Sequence, residues 1–169
     1  GWMGDTKIMI RYLVFNDGQG PGKRLFLGGG LVMPSKNSLT SDPFFLQSDE
    51  KTKHRHFSLS EGVYKGVLEI QLFKKKMTNP VFMGGTAMAE IPLMENEHGF
   101  KSSQLYDLSF TVFSKLIPKI NASLGGNMII RHTTPSFWNG LEAPNSRATV
   151  VTVGGGALWN LAIGGVSLN

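Results

Sequence analysis

Glu61 to Leu93 reads E-G-V-Y-K-G-V-L-E-I-Q-L-F-K-K-K-M-T-N-P-V-F-M-G-G-T-A-M-A-E-I-P-L, and its spacing decides the fold class. Leu68, Ile70 and Leu72 alternate with Glu69 and Gln71, so a pleated strand carrying them has one apolar and one polar face. After a polar break from Lys74 to Pro80, Ala87, Ala89 and Ile91 alternate with Met88 and Glu90 in the same way. Two such strands joined by a short connection read as antiparallel neighbours sharing a core face. On that reading Leu68, Ile70, Leu72, Ala89, Ile91 and, further on, Trp159 are expected inside the molecule.

Working outward, Lys7 to Phe15 is rich in β-branched and aromatic residues and stops at Asn16-Asp17-Gly18, a turn signal, so it predicts a strand. Gly18 to Lys23 has glycines and a lysine but not the spacing of a phosphate-binding loop, because Arg24 follows Lys23 and no helix pattern comes next; it is expected to be a turn. Lys23 to Gly30 predicts a short strand running into a glycine triplet. Leu31 to Phe57 is the longest irregular stretch, and loops of that length are usually functional or packed onto a partner. The segment after His98 is ambiguous between helical and strand spacing; a short helix or turn near Lys101 to Leu105 and a strand near Ser109 to Lys115 are expected, with Pro118 opposing a long helix. Asn127 to Thr133 is a further strand. Arg147 to Val153 and Ala157 to Leu168 are expected as two strands of a hairpin turning at Gly154-Gly155-Gly156. Asn121-Ala122-Ser123 has the form of a glycosylation sequon.

Several of these pieces resemble one family in the same order. A Tyr64-Lys65-Gly66 lead-in, the strand V-L-E-I-Q-L-F, a polar loop and the small-residue strand T-A-M-A-E-I-P-L resemble the successive C and D strands of the jelly-roll coat proteins of picorna-like viruses, particularly the plant comovirus and nepovirus group. Lys23 to Gly30 resembles their B strand, the exit into Thr134-Pro135-Ser136-Phe137-Trp138 resembles their subunit-contact segment, and the glycine-joined C-terminal hairpin resembles their H and I strands. The resemblance implies an all-β, antiparallel β-sandwich of jelly-roll type. It implies one domain over residues 1–169, with 1–22 as an N-terminal arm or strand and 23–169 as the sandwich. It also implies a structural subunit that assembles with copies of itself and sister coat subunits into an icosahedral shell around RNA, located in the virion and, during assembly, in the host cytoplasm. The chain begins with Gly, which release from a precursor or a cloning scar would equally explain.

The remaining observations bound the chemistry. The chain has 169 residues, enough for one domain with a core, and its 21 glycines are about twice the usual share, as tight turns and bulges in an all-β protein require. It has no cysteine, hence no disulfide framework or thiolate chemistry, which favours a reducing compartment or a fold without covalent links. It has no apolar run of the length a membrane helix needs, so no membrane span is expected. A net charge of +5 suits an anionic partner such as packaged RNA, held without sequence preference. The candidate anionic contacts are Lys51, Lys53, His54, Arg55 and His56 in one cluster and Lys74, Lys75 and Lys76 in another, although a solvated loop is the plainer reading of each. Phe44, Phe45, Phe137 and Trp138, large aromatics outside the expected strands, are candidate subunit anchors; Phe137 and Trp138 also suit a plug at the end of their own sandwich. Ser41-Asp42-Pro43-Phe44, Phe82-Met83-Gly84 and Leu105-Tyr106-Asp107-Leu108 also fit a C2-like module. The lysines after Leu72 stand where calcium-binding aspartates would be needed, so the C2-like alternative is a calcium-independent one docking basic loops on anionic membrane or a protein. A lectin-like module shares the sandwich. The four histidines and twelve acids form no catalytic pattern or metal set, so neither enzyme activity, cofactor, calcium nor zinc is expected.

Overall fold

The computed structural model describes residues 4–40, 58–161 and 164–168, with side chains described as far as 159. The described residues are all-β, without a helix. They form two antiparallel sheets, one large and one small, as a β-sandwich has. The large sheet contains β1 (Thr6–Asn16), β2 (Gly22–Met33), β3 (Lys65–Lys75), β4 (Phe82–Pro92), β6 (Leu105–Phe113), β7 (Ala122–Thr133), β10 (Ala148–Leu161) and β11 (Gly164–Leu168). The small sheet contains β5 (Phe100–Lys101), β8 (Phe137–Trp138) and β9 (Leu141–Glu142).

The order of strands across the large sheet is their order in the chain, β1-β2-β3-β4-β6-β7-β10-β11, each antiparallel to the next. This is an up-and-down meander. The jelly-roll connectivity implied by the coat-protein resemblance needs Greek-key crossovers, and none links the described strands. The two strands expected within Glu61 to Leu93 exist as β3 and β4, in register from Lys65 opposite Pro92 to Lys75 opposite Phe82. Short-range pattern therefore located these two strands and their pairing correctly. Residues 6–16, expected as an arm or strand, form a full strand paired along β2.

Two local expectations change. Gly154-Gly155-Gly156 is not a hairpin turn but the middle of β10, which runs from Ala148 to Leu161 and pairs with β7 from Ala148 to Trp159. The glycines fit because they face Asn127, Gly126 and Gly125 across the ladder: a Cβ on Gly154 would run into the Asn127 side chain. The segment near Lys101 to Leu105 is no helix: β5 leads through residues 102–104 directly into β6.

The connections fall into two sets. Those at 17–21, 76–81 and 114–121 are short and lie at one end of the sheet. Those at 34–64, 93–104 and 134–147 are long; their described residues, 34–40 and 58–64 in the first, lie at the other end, and the last two contain the small sheet. The short ones are tight turns: Asp17 accepts a hydrogen bond from the Lys23 amide at 2.7 Å, and Gly18 and Gly20 take positive φ, as the sequence of 18–23 anticipates.

The sheet curls strongly. Lys7 on β1 pairs with Glu90 on β4, across β2 and β3. Adjacent strands are about 4.8 Å apart, so a flat sheet would separate β1 and β4 by about 14 Å, and only curvature toward the face carrying these side chains brings them together. Glycines on that face make the room. At Gly30 an added Cβ would meet the carbonyl oxygen of Ile8 and the Met9 side chain, with backbone in the way rather than a movable tip. Gly30→Ala is accordingly expected to cost about 1–3 kcal/mol, as overpacking does, and to loosen β1 from β2. Amide exchange of β1 against that of β7 checks it: faster exchange confined to the β1–β2 ladder is the expected result.

Candidate functional site

The two faces of the large sheet differ in chemistry, and the apolar one is the more exposed of the two in β3 and β6. On one face of β3 stand Leu68, Ile70 and Leu72, exposed by 63%, 52% and 53%. They are flanked across the ladders by Ala89, Ala87 and Gly85, and beyond those by Tyr106, Leu108 and Phe110. Leu108 and Phe110 are also exposed. The same face continues through Ile130 and Met128 of β7 to Val151 and Val153 of β10, and on the other side through Leu27 to Ile10 and Tyr12. The residues between them point the other way: Glu69 is 6% exposed, Val67 is buried, and Asp107 and Ser109 are half-buried.

The expectation that Leu68, Ile70 and Leu72 form the core is thus reversed, and Ala89, Ile91 and Trp159 are half-buried rather than enclosed. Period-two spacing tells which residues share a face. It does not tell whether that face meets its own core or something outside the chain. The deeply buried apolar residues among those described are few and small in the large sheet; the two largest fully buried side chains are Val63 and Val67.

The concave face is mixed: Met9, Val67 and Met88 stand on it beside a charged row that is internally neutralised. Arg11, Gly28, Glu69, Met88, Asp107 and Arg131 lie in one cross-strand row. Arg11 grips Glu69 with two bonds, Nε to Oε1 at 2.5 Å and Nη2 to Oε2 at 3.2 Å. They sit two strands apart and meet over Gly28, where a Cβ would press on the Glu69 side chain. Arg131 binds Asp107 likewise, at 2.7 and 2.8 Å. Bidentate pairs of this kind are the stronger and more directional ion pairs. Toward the short-turn end the row gives way to an aromatic strip, Phe26, Phe73, Phe82 and Phe113, with successive ring centroids 6.3, 5.7 and 6.1 Å apart. The rings lie over Gly84 and Gly125, whose added Cβ atoms would strike Phe73 and Phe113.

The long connections make a separate cap. Phe100 of β5, Trp138 of β8, Leu39 and Val63 form its buried cluster, with the Phe100 and Trp138 rings 6.1 Å apart. Asn96, itself buried, ties the loops together: its Nδ2 donates to the carbonyls of Leu39 (3.0 Å) and Glu61 (3.2 Å), and its Oδ1 accepts from the amides of His98 (2.9 Å) and Phe100 (2.8 Å).

Of the candidate subunit anchors, Trp138 is buried in this cap and Phe137 is half-buried beneath the Lys101 ammonium, 5.8 Å from its ring centroid. Phe44 and Phe45 lie outside the described residues, as do Lys51, Lys53, His54, Arg55 and His56. Lys74, Lys75 and Lys76 stand at the short-turn end, beside Lys23 and Arg24 of β2, and Lys115 and Lys119 lie in a connection at the same end, with Asp17 the sole acid in those turns. The charged row was missed in the sequence because its members are far apart in the chain. The available signal was that Arg11, Glu69, Asp107 and Arg131 each occupy the polar phase of a strand whose other phase is apolar.

Among the described residues no cluster of three metal-ligating side chains occurs, and no helix is long and apolar enough to cross a membrane. His132 instead shares a hydrogen bond with Thr149, Nδ1 to Oγ1 at 2.8 Å. Comparison with known proteins places the chain beside none of them: no family model, no curated protein and no solved structure matches it.

Proposed function

We propose that this chain forms wall of a transmembrane β-barrel, with the apolar convex face on lipid and the ion-paired concave face toward a polar lumen. The observation that carries the reading is the inverted exposure in β3 and β6, where leucines stand outward and the acids between them are covered. Three further features support it. An up-and-down antiparallel meander with short turns at one end and long loops at the other is the connectivity of such barrels. The outward band from Tyr64 to Leu72 spans nine residues, about 30 Å at about 3.3 Å per residue, or about 23 Å at the usual tilt of about 40°, against an apolar band of about 25 Å. Tyr64 and Tyr106 near the long-loop end, with Trp159 near the other, stand where aromatic girdles form. The expectation of no membrane span rested on the lack of an apolar run, a test that addresses helices alone.

A coat subunit was the reading raised by the sequence, with a C2-like module as its main alternative. Both are Greek-key sandwiches that fill the space between sheets with residues such as Leu68 and Ile70. The meander and the outward leucines favour neither.

The chain has no cysteine, so single-cysteine spin labelling tests the proposal without background. The full chain is refolded into phosphatidylcholine vesicles, with a nitroxide at Ile70→Cys or Leu108→Cys and, separately, at Thr86→Cys or Ser109→Cys. Labels at 70 and 108 are expected to collide with dissolved oxygen and be shielded from a water-soluble nickel complex, and those at 86 and 109 to show the reverse. Labels at 70 and 108 open to the nickel complex, or shielded from both relaxers as in a contact between copies, would overturn the membrane reading.

A further inference from the structure

The convex face is not uniform: a trough runs along β4. Its floor is small residues, Gly85, Ala87 and Ala89, and its walls are Leu68, Ile70 and Leu72 of β3 and Tyr106, Leu108 and Phe110 of β6. Two open apolar cavities, of about 350 and 420 Å³, lie along it and share Ile70, Ala87 and Leu108, so they are one continuous groove. Toward the long-loop end it stops at the paired rings of Tyr106 and His132. Toward the short-turn end its lining includes Lys23 and Lys74.

Those two lysines are directly opposite each other in the β2–β3 ladder, on the same face as Leu25 and Leu72. Like charges so placed repel, and neither has an acidic partner among the described residues. The arrangement is an apolar groove ending in two uncompensated cations at the edge of the apolar band, in a rim that also carries Lys75, Lys76, Lys115 and Lys119. We infer that the trough over β4 is an anionic-lipid site, taking an acyl chain along Gly85, Ala87 and Ala89 and the lipid phosphate between Lys23 and Lys74. Charge complementarity selects the occupant: a zwitterionic headgroup offers no net charge to two ammonium groups, and a second copy would bring its own lysines to the same place. The inference rests on the membrane reading above. It adds that one leaflet is preferred and that the short-turn rim faces it.

Native mass spectrometry of the full chain refolded in detergent, with a small amount of phosphatidylglycerol or phosphatidylcholine added, is the test. The unmodified chain should retain phosphatidylglycerol roughly 30-fold better than phosphatidylcholine, the factor expected of two lysines at a membrane surface, and inorganic phosphate should not compete. Lys23→Gln with Lys74→Gln should remove the preference. Ala87→Phe, which fills the floor and keeps both lysines, should weaken retention of either lipid. Lys115→Gln with Lys119→Gln makes the same change in net charge off the groove and should leave the preference intact, with circular dichroism establishing that each variant folds. Equal retention of the two lipids, an unchanged preference in the Lys23/Lys74 variant, or a loss shared by the Lys115/Lys119 variant would overturn the site. Insertion measured by nitroxide collision in phosphatidylcholine vesicles involves neither lysine nor anionic lipid, so failure of the site and failure of the membrane reading give different results.

Discussion

Leu108→Arg is expected to cost about 2–4 kcal/mol of folded stability in a bilayer, and Ser109→Arg, one residue along the same strand, much less. Leu108 is central in β6, between Ala87 and Ile130, so on the proposed reading its guanidinium would sit near the membrane midplane. Ser109 lies on the concave face beside Thr86, where water and charged side chains already meet. In water the sign of the argument changes. Leu108 is 50% exposed, and replacing an exposed leucine by arginine on a soluble protein usually shifts stability by less than about 0.5 kcal/mol while improving solubility. Urea unfolding in phosphatidylcholine vesicles separates the two. A tolerated Leu108→Arg beside a damaging Ser109→Arg would mean that the leucine face meets water and the polar face meets a core.

The same pair of residues explains what could be read from the chain beforehand. Alternation at Leu68-Glu69-Ile70 and at Ala87-Met88-Ala89 placed β3 and β4 and paired them correctly, because period two is a property of the backbone and survives any environment. The phase was assigned by assuming that the apolar face meets the chain's own core, whereas Leu68, Ile70 and Leu72 stand exposed. Inversion leaves the sequence pattern unchanged, so no reading of alternation alone could have caught it. Two other signals carried the information. Connections alternate between short and long along the chain, and glycines such as Gly28 and Gly84 fall on the polar phase, where a concave wall needs room for Arg11, Glu69 and Phe73. The triple glycine misled for a related reason. Gly154 to Gly156 was taken as a turn because isolated strands avoid glycine, but opposite Asn127, Gly126 and Gly125 the absence of side chains is what lets β10 continue. The charged row of Arg11, Glu69, Asp107 and Arg131 depends on register across six strands, information that no local window holds.

Trp138→Ala should cost about 3–5 kcal/mol, the usual range for truncating a buried tryptophan, but the loss should be confined to the cap. Trp138 is 5% exposed, and its partners Phe100, Leu39 and Val63 all lie in the long connections or the small sheet rather than in the large one. The large sheet is held by its own ladders, continuous from β1 to β11, and by ion pairs that do not involve the cap. Losing the indole would leave Phe100 against a void and remove the anchor that holds 134–147 onto 93–104, so Asn96 would lose the fixed geometry in which it binds the Leu39 and Glu61 carbonyls. Elements that unfold separately from their neighbours do so when few contacts cross between them, which is the case here. The expected result is rapid amide exchange and protease cleavage within 93–104 and 134–147, an unchanged far-ultraviolet β signal, and unaltered nitroxide collision at Ile70→Cys. Were the chain an ordinary soluble domain, this aromatic cluster would be its main hydrophobic core, and the same substitution would melt cap and sheet together in one transition.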